Sequence, residues 1–268
     1  MDDIVKQLRV GKEKTYGGVL YFFGAVLWAA LLAALAFALL RSPAEGAVIV
    51  AYIVIGLLVS LISAAVYRAY VFGHYILIGP AQFPHLWKMV EEGAAALGMK
   101  ETPKTFLYNS NGLINAFAMR LIGGPYVMLT SSLIDADTDA QVRFIIGHEL
   151  GHHAAGHLNF WKNLVKFPGH FIPFLGPAYS RARELTCDRI GAWLAQDVDA
   201  SRGALQMLAC GSARLNGQLN RVAFEQQEEM VPPVFGFLTL IFSHYPRLTT
   251  RVNAVSVYFQ NSGGVAAR

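Results

Sequence analysis

Two short runs carry residue types at spacings suited to hydrolysis at a metal: His148-Glu149-Leu150-Gly151-His152 and Glu184-Leu185-Thr186-Cys187-Asp188. On a helix, His148 and His152 at i and i+4 stand one above the other, so both imidazoles can reach one ion. Glu149 is turned by about 100° from His148, beside the ion rather than on it, where a general base can deprotonate a metal-bound water. A second helix would bring Glu184 as an oxygen ligand. Asp188, one turn further, would hold a ligand imidazole by its free N–H. Three protein ligands leave a fourth position open, which marks a catalytic zinc site rather than a closed structural one. The pattern implies a zinc peptidase with one catalytic Zn2+.

The first run needs a helix, and the sequence supplies its start. Asp137 or Thr138 can cap a segment in which Val142, Ile145 and Ile146 recur at helical spacing. A metzincin register would require glycine and histidine where Ala155 and Leu158 stand. On a continued helix His157 falls about 180° from His148, and His153 also turns away, so both read as packing or surface histidines. Cys187 reads as a small apolar helix residue that could approach the metal. Cys210 has no partner spacing, and two cysteines in 268 residues give no disulfide framework, in keeping with a reducing compartment.

The chain is 54% hydrophobic with mean hydropathy +0.39, too apolar for an ordinary soluble domain. Gly17–Leu40 and Ala47–Tyr67 are uncharged apolar runs, each meeting the roughly 20 residues that cross a hydrocarbon core. The first is too long for a signal peptide and is followed at once by the second. The reading is a 1–16 tail, a transmembrane hairpin over 17–67, and a metallopeptidase domain over 68–268. Lys6, Arg9, Lys12 and Lys14 precede the first span and Arg68 closes the second, so both termini and the domain are expected on the cytoplasmic side of an inner-type membrane. Phe167–Ser180 is broken by prolines, and Val231–Ser243 is shorter; neither spans, and each is read as lying on the membrane, lining a groove or packing in the domain. Val71–Ile78 reads as interfacial. A net charge of +4 suits an anionic leaflet, and the scattered basic residues make no nucleic-acid module.

Beyond the hairpin, about 190 residues suffice for one domain. Phe83–Leu97 reads as a helix ended by Gly98. Thr105–Tyr108 and Tyr126–Thr130 read as short strands, and helices dominate from Asp137. The fold class is α+β: a mainly helical zincin-type domain with a small sheet beside the His148–His152 helix. A Gly/Ala-rich tail follows Asn261.

Four features together resemble an HtpX-like membrane zinc metallopeptidase, of the gluzincin group that also contains the CAAX prenyl proteases. They are Asn115-Ala116-Phe117-Ala118, the His148–His152 motif with His157 five residues on, Glu184 with Asp188, and His244-Tyr245-Pro246 followed by Arg251. The resemblance covers about residues 83–255. It implies an endopeptidase of membrane-protein quality control acting on misfolded or membrane proteins. His148, His152 and Glu184 would hold zinc, Glu149 would be the base, and Asp188 would support a ligand histidine. The chain departs from HtpX in lacking further spans between the two motif helices, and from the family tail in placing Tyr245 between His244 and Pro246.

Peptide hydrolysis also needs a second electrophile for the tetrahedral intermediate, and the candidates are His244, Tyr245 and Arg251. The plain alternatives are a helix cap for His244 and an ion pair for Arg251. Asn115–Ala118 is a candidate edge strand that binds extended peptide by β-augmentation. A membrane-anchored zinc adaptor without turnover, or a hydrolase of a non-peptide bond, are the competing functions. The adaptor has no use for Glu149.

Overall fold

The computed structural model describes residues 2–261; the expected tail at 262–268 lies outside the described residues. Helix α1 (Asp2–Leu8) leads into α2 (Gly11–Arg41), and Ser42 alone separates α2 from α3 (Pro43–His74). Pro43 stands at the first position of α3, where a missing N–H costs nothing. The runs Gly17–Leu40 and Ala47–Tyr67 fall inside these two helices. Both are long and apolar enough to cross a membrane, and Phe22, Leu32, Phe37, Tyr52 and Ile62 point outward from them.

Part of the segment read from sequence as a tail packs against the domain. Val5 and Leu8 of α1 are buried in the main core, and Glu13 and Gly17 in the first turns of α2 are buried as well. At about 1.5 Å per residue α2 is roughly 46 Å long, more than a bilayer core requires, and the surplus serves the domain.

The domain sheet has the order β1-β2-β4-β3, from β1 (Ile76–Ile78), β2 (Lys104–Tyr108), β3 (Ala116–Leu121) and β4 (Gly124–Thr130). β2 and β4 are parallel, and the outer pairs are antiparallel. Val71–Ile78, expected at the interface, ends α3 and supplies β1 instead. Its Val71 is fully buried with Phe106, Tyr126 and Met128 on one sheet face. Val127 and Leu129 belong to the larger core on the other face. Covering both faces accounts for the unbroken apolar run of β4.

Helix α4 (Pro84–Ala96) precedes β2, and Gly98 takes the left-handed φ of 68° just past its end. After the sheet come α5 (Ser131–Ala136), α6 (Asp139–Ala154), α7 (Phe160–Lys166), a 3-10 helix (Phe167–Phe171) and α8 (Leu175–Ala195). Helices α9 (Val198–Cys210), α10 (Ala213–Asn216), α11 (Arg221–Gln226), α12 (Pro233–Phe242) and α13 (Leu248–Asn261) complete the described chain. Leu86, Leu129, Phe144, Ile146, Leu150, Ile190, Leu205 and Val252 join the sheet, α4, α6, α8, α9 and α13 in one core. The architecture is mostly helical with a small mixed sheet and two N-terminal apolar helices.

Candidate metal centre

Helix α6 carries the histidines, and its start is fixed locally. Thr138 accepts from the Gln141 amide while Gln141 reaches back to the Thr138 N–H, a capping box that sets the register of the next turns. Helix α8 crosses α6 at glycines. A Cβ on Gly191 would lie 2.6 Å from the Phe144 carbonyl oxygen, and one on Gly147 3.0 Å from the Gly191 Cα. Only bare backbone permits that approach, and it brings Glu184 and Asp188 against the histidine face.

Glu184 Oε2 lies 3.4 Å from His148 Nε2, and its Oε1 lies 3.6 Å from His152 Nε2. Ligand atoms about 2.0–2.1 Å from a tetrahedral metal stand about 3.3–3.5 Å apart, so the three donors fit around one ion. Charge agrees with shape. Burial opposes a charge on His148, yet the Asp188 and Glu184 carboxylates outweigh it and raise its pKa to about 10. The centre is therefore built to stabilise a positive charge. Burial and the neighbouring His148 push His152 well down, toward the neutral imidazole that metals bind. Burial pushes Glu184 up, but His148 and His152 prevail and hold it at about 2, a carboxylate at any working pH.

Cys187 Sγ is also within 4.8 Å of donor atoms on both histidines. Burial drives its thiol well up, and it faces His157 Nδ1 at 3.6 Å. Glu184, already anionic and touching both imidazoles, is the better third ligand.

Both histidines are held from behind. Asp188 Oδ1 accepts from His148 Nδ1 at 2.9 Å, leaving the Nε2 lone pair free. Arg251 grips Asp188 with two bonds of 2.8 and 2.7 Å, which offsets burial and keeps Asp188 at about 2. His152 Nδ1 stands 3.2 Å from His157 Nδ1, whose Nε2 is 3.0 Å from Glu13 on α2. Glu13 also accepts from Arg9 at 2.6 Å and from Thr186 on α8 at 2.5 Å. The sequence did not single out Glu13, and it placed His157 away from the metal face. The helix ends at Ala154, and Gly156, with a φ of 76°, turns the chain back so that His157 returns beneath His152. His153 turns outward to the Tyr126 carbonyl at 2.9 Å.

A cleft of about 450 Å³ opens over these donors. Asn115, Ala116, Phe117 and Ala118 form one wall, from the edge strand β3 and the residue before it. Glu149 lies at the base. Burial raises its pKa to about 7, near the working range of a general base. Tyr245 and Arg251 line the cleft, Arg251 with its fork committed to Asp188, whereas His244 is exposed and outside the lining. Arg183, unmarked by the sequence reading, lines the opposite side.

The His148–His152 helix crossed by the Glu184–Asp188 helix over such a cleft is an arrangement that can hold a metal ion. Residues 80–166 match the sequence model described as Peptidase family M48. Glu184, Asp188 and Arg251 lie beyond the matched segment. The "Plastoglobule-localized metallopeptidase 48, chloroplastic" of Arabidopsis thaliana is 29% identical over 58% of this chain and 48% of its own. The chain thus spans about half the length of that curated relative. The crystal structure of S. mikatae Ste24p shares the fold with a TM-score of 0.53, at 13% identity, over 92% of this chain and 66% of that one. The family model and the Arabidopsis relative make the chain similar to metallopeptidases, and the Ste24p likeness bears on the fold alone.

Proposed function

We propose that this protein is a membrane-anchored, zinc-dependent endopeptidase. His148, His152 and Glu184 hold the metal, and Glu149 serves as general base. The observation that carries the reading is the reach of the two Glu184 oxygens to both imidazole Nε2 atoms, at 3.4 and 3.6 Å, with Glu149 beside them under a peptide-sized cleft. Two imidazoles and a carboxylate favour zinc, which when bound supplies Lewis-acid activation of water and of the scissile carbonyl. Glu149 takes the proton from the attacking water and returns it to the leaving amine. Asp188, clamped by Arg251, fixes the His148 tautomer. Tyr245 and Arg183 are the cleft side chains that can donate to the developing oxyanion. Asn115 and the outer edge of β3 align an extended substrate strand.

The two apolar helices suggest a membrane protein. The basic segment before the first supports a cytoplasmic side for the domain by the positive-inside rule. Misfolded or membrane proteins are the proposed substrates.

The test is degradation of casein by detergent-purified, zinc-loaded protein beside Glu149→Gln, with metal content read in both. Cleavage lost in the variant while zinc stays bound supports the reading. Zinc-replete wild type without cleavage, or equal cleavage by both proteins, overturns it.

A further inference from the structure

We propose that the surface formed by α7, the 3-10 helix Phe167–Phe171 and α12 is seated in the lipid leaflet around the first half of α2. The cleft then opens at the membrane face. The inference rests on the reading of α2 and α3 as membrane spans.

Position along α2 comes first. Trp28 Nε1 donates to the Leu164 carbonyl at 2.8 Å. A Cβ on Gly24 would lie 2.1 Å from the Val165 oxygen, and one on Gly169 would lie 2.8 Å from the Leu20 oxygen. Glycines on both sides thus let α7 and the 3-10 helix lie directly on α2. Gly24 is seven residues past Gly17, about 10 Å into the apolar run at 1.5 Å per residue. A spanning α2 carries Val165 to that depth with it. Interfacial helices bury their apolar face by about 5–10 Å, so the two depths agree.

The side chains agree as well. Trp161 is 71% exposed and Phe171 75%, with Phe160 and Phe167 also facing outward. On α12, Phe235 is exposed, and Phe242 meets Phe174 edge-on at 5.3 Å, which joins the two parts of the surface. Water would face a contiguous aromatic patch here, and a bilayer removes it.

Charge selects lipid over other occupants. From Asn159 to Arg183 there is no acidic residue, only Lys162, Lys166, Arg181 and Arg183, and Val231–Ser243 carries no charge. Lys162 is exposed beside these aromatic residues and matches an anionic leaflet, whereas Lys166 is buried against Tyr179 and Arg181 is held by the Leu240 and Ser243 carbonyls. The seven residues of α7 cannot span; Asn159 caps its first turn by accepting from the Lys162 amide, and Trp28 donates to its Leu164 carbonyl. Leu158, just before α7, and Ser180 and Arg183 on α8, which follows the 3-10 helix, line the cleft beside this surface. The substrate class this geometry selects is a segment emerging from the bilayer surface.

The experiment uses the full chain with Cys210→Ser, reconstituted at high lipid-to-protein ratio into phosphatidylcholine–phosphatidylglycerol vesicles. Cysteines introduced one at a time at Phe171, Phe235, Leu32 and Glu91 receive bimane while the fully buried Cys187 is shielded from label, casein cleavage in detergent verifies folding, and spin-labelled lipids act as quenchers. Quenching at Phe171 and Phe235 comparable with Leu32, and none at Glu91, is the expected result. Quenching at Leu32 alone overturns the inference and leaves the hairpin reading intact, as does shielding of Phe171 by a second copy of the chain. No quenching at Leu32 defeats the membrane reading itself.

Discussion

Glu13 and His157, 144 positions apart, meet with a carboxylate oxygen 3.0 Å from Nε2, and His157 Nδ1 lies 3.2 Å from His152 Nδ1. A carboxylate accepts only, so Nε2 of His157 must donate. With neutral His157, its Nδ1 then accepts from His152 Nδ1–H, and the His152 Nε2 lone pair is left facing Glu184. The first apolar helix thereby sets the tautomer of the proposed ligand His152.

Replacing Glu13 by Gln removes that demand. The expected result is a loss of zinc affinity on the order of 10- to 100-fold, read by chelator competition. Activity should return when zinc is supplied in excess, because the ligands themselves remain. Unchanged affinity would remove Glu13 from the centre.

The glycine crossing of α6 and α8 predicts a different failure. Gly191→Ala puts a methyl against the Phe144 oxygen at 2.6 Å and the His148 amide nitrogen at 3.2 Å. Neither is the end of a flexible side chain, so the helices must part, at a cost of about 1–3 kcal/mol. Thermal melting should fall and zinc content with it. A variant that melts lower yet keeps full zinc would show that Glu184 follows α6 independently of the crossing.

Asp137 gives a pH signature. Both its carboxylate oxygens are buried without a hydrogen-bond partner, and burial raises its pKa from 3.8 to about 7. Below 3.8 the folded and unfolded chains are both protonated and nothing is lost. As pH climbs toward 7 only the unfolded chain releases the proton, so stability falls, and the loss levels off above 7. Asp137→Asn should therefore raise the melting temperature at pH 8 and change it little at pH 4. An equal change at both pH values would count against a buried neutral acid.

The outer edge of β3 predicts a dependence on substrate backbone. Methylating one peptide nitrogen near the scissile bond deletes a hydrogen bond worth about 0.5–1.5 kcal/mol, a rise in KM of about 2- to 10-fold with kcat nearly unchanged. Asn115→Ala should raise KM in the same direction. If KM is insensitive to methylation along the substrate and to Asn115→Ala, β3 is only the rim of the sheet.

The sequence made the two motif helices legible because their order is local: i, i+4 spacing, a cap at Asp137 or Thr138 and a Glu-x-x-x-Asp face need no knowledge of the rest of the fold. The short strands were legible from apolar runs between Gly and Asn turns. His157 was misplaced by assuming that α6 continued; Gly156 was the available signal of its end. Glu13 was harder, since its partners lie more than a hundred residues away. Its one mark was to be the only acid among Lys6, Arg9, Lys12 and Lys14. Arg251 was read as an oxyanion candidate because nothing in a linear chain says that it will close on Asp188.

The buried first turns of α2 bear on modularity. Anchor and enzyme are not separable parts that could be exchanged or trimmed. A fragment cut at the start of β1 would lose Arg9 and Glu13 beside Thr186 and His157, and Val5 and Leu8 from the core. A soluble version would have to graft residues 1–24 back onto the domain rather than discard the hairpin. A membrane helix swapped in from another protein would bring the wrong partner to His157.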